Sequence, residues 1–295
     1  MTAVDLDTIG GLFDASPLAA VPRRHTPGVE VLLSTAWLLV VFVFTVAGRH
    51  MPGVGDPYAI DPLHAKAAPS WAHLFGTDDL GRDIFTRCVM GARTSFVVTL
   101  SALGLALLVG GALGTLVGYY RGLLETVVMT VADVVLAFPG LILLLGVVTF
   151  MGQSVRNVSL ALALLITPGF IRIIRANTIR YTERLFVLSA RTLGAGDLRI
   201  IRREILPNIL PPIAGIALIF LGVLVLAEGG LSFLGLGVPL PRPTWGGMIA
   251  SGLPDLETSP LITFLPAAVL FLTVLSFNLL GDALRRHYEI GESRA

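Results

Sequence analysis

FVLSARTLGAGDLRIIRREILPNILPP, from Phe186 to Pro212, lies between two apolar runs long enough to cross a bilayer and is itself polar enough to stay outside one. From Leu188 to Leu193 nothing breaks a helix, and Leu188, Ala190, Thr192 and Leu193 give a short helix a small apolar side. Gly194 and Gly196 then permit a reversal that a β-carbon would oppose. A second helix is predicted from Asp197, with Asp197 as its cap and Leu198, Ile201 and Ile205 spaced along one face. Arg199, Arg202 and Arg203 take the other face, where they can reach lipid phosphates or acidic groups on a partner. Pro207, Pro211 and Pro212 place the start of the next span, whose first amides need no intrahelical acceptor. The predicted geometry is a surface helix, a tight turn and a return into the membrane. An interfacial helix with no partner is the plain reading. A rigid piece through which a separate ATPase moves a membrane subunit is the functional one.

Working outward, 54% of the residues are hydrophobic and 14% charged, with mean hydropathy +0.82. Soluble domains carry roughly 25% charged residues, so this is a membrane protein. A bilayer core of ~30 Å needs about 20 apolar residues in a helix, which selects spans near 30–48, 95–119, 124–150, 158–176, 208–228 and 261–281. The fold class is therefore an all-α integral membrane protein of about six transmembrane helices. Pro139-Gly140 predicts a kink or tilt in the third span, whose amino-terminal part can lie along the membrane surface. Gly110, Gly114 and Gly118 fall on one face of the second span and allow close approach of another helix, within this chain or in a partner.

Arginine placement sets the orientation. With the N-terminus inside, the tail with Arg23 and Arg24, the Arg121 turn, the Arg172–Arg203 stretch and Arg285-Arg286 all fall on the cytosolic side. The opposing loop, residues 49–94, carries Arg49, Lys66, Arg82, Arg87 and Arg93. It is long and balanced by Asp56, Asp61, Asp78, Asp79 and Asp83, so it weighs little. Residues 1–27 read as a cytosolic tail leading to an uncleaved anchor.

Several chemistries are disfavoured. Net charge +1 without a basic cluster gives no nucleic-acid surface. The only lysine, Lys66, follows Ala65, so no phosphate-cradling loop exists and any ATP must sit on another polypeptide. Gly53-Val54-Gly55-Asp56 has the form of a membrane aspartyl protease motif, but its second carboxylate would have to be Asp133, near the opposite face. His25, His50, His64, His73 and His287 are scattered without metal-ligand spacing. Ser232 lacks the glycines of a nucleophile elbow, and Cys88 reads as a filler residue. Ionisable residues within spans often mark pathways, which singles out Asp133 and Glu228, with buried structural pairing as the other reading of each. The GGLSFLGLG segment after Glu228, with Ser232 and Phe233, is a candidate outer gate folding back into the membrane. In Gly76–Ser95, GTDDLGRDIFTRCVMGARTS, acidic and basic residues alternate and can pair among themselves.

Ser189, Ala190, Gly194, Leu206 and Pro207 together resemble the loop motif of membrane subunits of bacterial ABC importers. GTDDLGRDIFTRCVMGARTS, LSFLGLG (231–237) with TWG (244–246), and NLLGDALR (278–285) are similar to the dipeptide/oligopeptide/nickel branch, so the likeness covers nearly everything after residue 75. Leu188 stands where that loop usually opens with an acidic residue, Glu204 where a basic one is common, and the ending RRHYEIGESRA departs from the usual acidic-proline one. The resemblance implies a type I importer (MetI-like) permease fold. It divides the chain into a tail (1–29), a first helix and extracytoplasmic loop (30–94), a transmembrane core (95–284) with a cytosolic coupling loop (177–207), and a second tail (285–295). Coupling to the ATPase would fall on Leu188, Ser189, Ala190, Arg191, Leu193, Gly194, Ala195, Asp197, Leu206 and Pro207. Asp78, Asp79, Arg82 and Asp83 would dock a solute-binding protein. The implied partners are a homologous permease subunit and two ATPase subunits holding ATP and Mg, with no cofactor in this chain. The implied location is a bacterial inner membrane, and the first expectation for cargo is peptides, with nickel chelates and haem-like compounds open. The alternative is a gradient-driven secondary transporter acting through Asp133 or Glu228.

Overall fold

A computed structural model of the chain describes residues 28–51 and 53–292; the tail at 1–27 lies outside them. Among the described residues the fold is all helical: α1 (Val29–Ala47), α2 (Ile84–Tyr120), α3 (Leu123–Ala137), α4 (Gly140–Met151), α5 (Val155–Thr182), α6 (Leu185–Thr192), α7 (Asp197–Ile200), α8 (Leu206–Phe233), α9 (Trp245–Gly252) and α10 (Leu261–Glu292). Five helices are long and apolar enough to cross a membrane, and the bent pair α3–α4 together passes the same test, as a broken span or a re-entrant loop.

The pair bends by 92° where a kink was expected. Pro139 forces the preceding residue out of the helical region, and Phe138 is extended at φ −79°, ψ 135°. The second span is longer than apolarity suggested, beginning at Ile84 instead of near 95. Asp83 caps it by accepting from the Thr86 amide at 2.7 Å, and no breaker follows until Arg121. At ~1.5 Å per residue α2 is about 55 Å long and must project beyond a ~30 Å core.

α2 and α5 form the centre of the bundle. A β-carbon on Gly110 would lie 2.9 Å from the Phe170 side chain, one on Gly114 2.8 Å from the Ile171 carbonyl, and one on Gly118 2.7 Å from the Thr178 side chain. The glycine face of α2 is thus filled by α5 of the same chain, which decides between the two readings of that face. Val98, Ala102, Ala106, Leu162 and Phe170 complete the seam. α8 and α10 pack as a second close pair, with Gly215 and Gly281 backbone to backbone. Lipid offers tails as apolar as leucine, so these contacts hold by close packing.

Candidate coupling surface and outer face

The insert is built on a glycine turn. α6 ends in a Schellman motif with Gly194 at φ +83°, its amide donating to the Arg191 carbonyl and the Ala195 amide to the Ala190 carbonyl, both at 3.0 Å. The second helix differs from expectation. Gly196 occupies the cap position, and Asp197 is the first helical residue, its carboxylate accepting from the Tyr119 hydroxyl at 2.6 Å. Arg191 donates to the same hydroxyl at 3.2 Å and lies over the Tyr119 ring. Tyr119, at the end of α2, therefore ties both arms of the insert to the central helix. Sequence reasoning misses this role, because the one signal at Tyr119 is its place at a span end, where aromatic residues are common anyway.

α7 leads into the next span as expected, but as one rod with it and without a break before Pro207. It runs through a π-helical turn, Ile201–Ile205, straight into α8, so Pro207 lies within a continuous helix. The wider turn accommodates a residue with no amide hydrogen, and the Asn208 side chain supplies a donor to the Glu204 carbonyl at 2.6 Å. The buried face of this arm is Ile200, Ile201 and Ile205; Leu198, expected on it, points out. Under α6 the buried residue is Val187, while Ala190, Ala195 and Leu206 pack partly against the core. Leu188 and Phe186 are exposed, and Leu185 and Leu193 reach 81% and 87% exposure. Ser189, Arg191 and Pro207 are exposed beside them. Four leucines of the insert, Leu185, Leu188, Leu193 and Leu198, are therefore exposed.

At the other end, GTDDLGRD folds on itself. Asp78 Oδ1 accepts from the Leu80 and Arg82 amides at 3.0 and 2.9 Å and Oδ2 from Arg82 Nε at 2.7 Å, with Arg87 Nε at 3.5 Å. Asp83 meets His73 Nδ1 at 2.9 Å besides capping α2. Gly81 is required because a β-carbon there would overlap the Asp61 carbonyl. Of the four proposed docking residues only Asp79 keeps an exposed side chain, since Asp78, Arg82 and Asp83 are turned inward. Asp78→Ala is expected to cost about 3–5 kcal/mol, because it removes the carboxylate that faces Arg82 and Arg87, and the Arg87 guanidinium, 3% exposed, would keep only the Pro57 carbonyl; thermal unfolding in detergent measures this.

Glu228 is fully buried between α2 and α8, its two oxygens accepting from Ser95 Oγ at 2.8 Å and Ser232 Oγ at 2.7 Å. Its carboxyl lines no open path in this chain. Glu228→Ala should lower stability by about 2–4 kcal/mol through a cavity and two stranded hydroxyls, and Glu228→Gln by less; the difference in unfolding temperature checks it. The expected fold-back of GGLSFLGLG is corrected: α8 continues through Phe233, which is exposed, and ends in a second Schellman motif at Gly235. TWG proves to be a packing element. Thr244 caps α9, and the fully buried Trp245 donates to the Cys88 carbonyl at 3.0 Å with its ring edge-on to Phe96. Asp133 pairs with Arg172 of α5 at 2.5 Å, both side chains half-exposed, and next to them Glu125 pairs with Arg175. Asp56 turns onto the Tyr58 amide at 3.0 Å, so the structure does not assemble the two carboxylates of the protease reading.

The family described as "Binding-protein-dependent transport system inner membrane component" matches residues 110–290, which include the insert, the Glu228 cluster, Trp245 and the α8–α10 pair. This chain belongs to that family. The permease is 38% identical over 263 residues to the glutathione transport system permease protein GsiD of Pectobacterium atrosepticum, covering 89% of this chain and 86% of that one. With GsiD of Shigella boydii it shares 36% identity over 288 residues, covering 93% and 94%. Among solved structures, a chain of the MetNI methionine ABC transporter in an inward-facing conformation superposes with TM-score 0.55 at 18% identity, covering 68% of this chain and 96% of that one. The fold is thus that of a type I ABC importer permease, and the permease is a multi-pass inner-membrane protein of an ABC import system.

Proposed function

We propose that the permease is one of two homologous membrane subunits of an ATP-driven importer of small peptides, with its insert on the cytosolic side. The observation that carries this is the outward leucine surface of α6 and its turn, Leu185, Leu188, Leu193 and Leu198, mounted on a turn that Tyr119 fastens to α2. Exposed leucines at a membrane subunit's aqueous end gain by burial in a partner's cleft, here that of an ATPase subunit holding ATP and Mg. Closure of two such subunits would push α6, and the Tyr119 tie and the unbroken α7–α8 rod would carry the push into the bundle. Cargo would pass between the two permeases after delivery by a solute-binding protein. Small peptides are the class to which the glutathione named for the relatives belongs. A gradient-driven carrier is less well supported, because Glu228 is sealed and Asp133 is already paired to Arg172.

The test is purification of the tagged permease from its native membrane. An ATPase and a second permease are expected to come with it, and Leu188→Glu with Leu193→Glu should lose the ATPase while leaving the unfolding temperature unchanged. A chain that purifies alone, or keeps its ATPase despite both substitutions, contradicts the proposal.

A further inference from the structure

At the end of the bundle opposite the insert, a cleft of about 640 Å³ opens between the loop carrying Asp56 and Tyr58, the outer part of α2 at Arg93 and Val97, and the segment before α9 at Arg242. The basic residues around it differ in what they touch. Lys66 pairs with Asp255 at 2.7 Å, Arg82 with Asp78, and Arg87 reaches Asp78 and the Pro57 carbonyl. Arg93 and Arg242 line the cleft, and among the described residues neither has a hydrogen bond or an ion pair. Asp56, the acidic residue of the lining, accepts from its own loop at the Tyr58 amide and forms no ion pair with either arginine. At ~1.5 Å per residue Arg93 stands about 40 Å along α2 from Tyr120, beyond the reach of a ~30 Å hydrocarbon core, so both guanidinium groups meet water and whatever solute arrives from it.

We propose that this cleft is a carboxylate-binding subsite at the outer mouth of the permease, with Arg93 and Arg242 as its charged clamp, and that it takes small acidic solutes of peptide size. The volume lies within the roughly 300–1,000 Å³ of small-molecule sites. A guanidinium offers a planar fork that matches a carboxylate with two parallel hydrogen bonds. Val97, Met90 and Val155 supply an apolar wall for the rest of the solute, and Tyr58 an amphipathic one. A concave surface of this size favours a small molecule over the protruding side chains of a docked protein. The inference rests on the orientation proposed above, which puts this end outside the cell.

The test uses the assembled complex in nanodiscs, held with a non-hydrolysable ATP analogue, and two tripeptide probes. One holds two glutamates flanking alanine; the other replaces them with glutamines and has an amidated C-terminus. The acidic probe is expected to bind at least about tenfold more tightly, Arg93→Gln and Arg242→Gln to weaken it about tenfold each, and the double variant to bind both probes alike. Arg93→Lys should recover part of the loss, and the neutral probe should bind all variants equally. Equal binding of the two probes to the unmodified complex, no binding of either, or unchanged acidic-probe binding by the variants overturns the proposal. So does a loss of cargo-free solute-binding-protein affinity in variants that still hold the acidic probe, since the arginines would then belong to a docking patch. Because binding is read without hydrolysis, failure here leaves the importer reading standing; that reading fails separately, if the unmodified complex shows no ATP-driven uptake.

Discussion

Gly114→Leu is expected to prevent the bundle from forming, so that the permease is recovered only as aggregate or degraded chain. A β-carbon at this position would sit 2.8 Å from the Ile171 carbonyl and 2.9 Å from Ile174 Cβ, and the first of these is backbone that cannot rotate away. The only relief is separation of α2 and α5, which would also open the contacts at Gly110 and Gly118 one turn away on each side. Overpacking alone costs about 1–3 kcal/mol, and loss of the glycine seam adds to it in a medium where packing is the main force between helices. Gly111→Leu is the control, because a β-carbon there meets nothing closer than 3.9 Å. Yield of monodisperse protein in detergent, compared for the two variants, gives the answer: Gly111→Leu near the unmodified level and Gly114→Leu close to none.

Gly194→Pro is expected to abolish transport while the bundle still folds. Proline holds φ near −65° and has no amide hydrogen, whereas Gly194 sits at φ +83° and donates to Arg191. Both bonds that close the turn would be lost, and α6 would swing away from the Tyr119 hydroxyl that holds Arg191 and Asp197. Gly194→Ala pays only the left-handed penalty of about 1–2 kcal/mol, since nothing lies within 4 Å of its β-carbon. It should keep a large part of the activity. ATP-driven uptake by the two variants, each checked for an unchanged unfolding temperature, separates a geometric requirement of the turn from a general intolerance of substitution.

The fold was largely legible because the bilayer reduces the problem to apolar length and breakers. The spans, the kink at Pro139-Gly140 and the turn at Gly194 follow from local chemistry. What local chemistry could not show is which residues meet across the chain. Asp197 has the chemistry of a cap because capping residues precede helices, yet its carboxylate goes to Tyr119, 78 residues away. Leu198 was placed on the buried face from its spacing to Ile201 and Ile205, but the π-helical turn shifts the register and buries Ile200 instead. For Asp133 and Glu228 the sequence leaves structural pairing and pathway lining both open; folding pairs Asp133 with Arg172 and gives Glu228 two serine hydroxyls. The GTDDLGRD stretch offers charges that can pair among themselves, and Asp78 does meet Arg82 and Arg87; which carboxylate stays outside, Asp79, is set by the fold. Arg93 counts in the sequence only as one basic residue of the outer loop and Arg242 not at all; they are 149 positions apart, and only folding brings them to one cleft.

Uptake into proteoliposomes tests the central claim most directly. The purified complex is reconstituted with its solute-binding protein outside and ATP with Mg inside, and ionophores collapse every ion gradient. Accumulation of a small peptide that requires ATP, persists without any gradient and disappears in Gly194→Pro is the predicted result. Uptake that stops when the gradients are collapsed, or that continues unchanged in Gly194→Pro, would contradict the account.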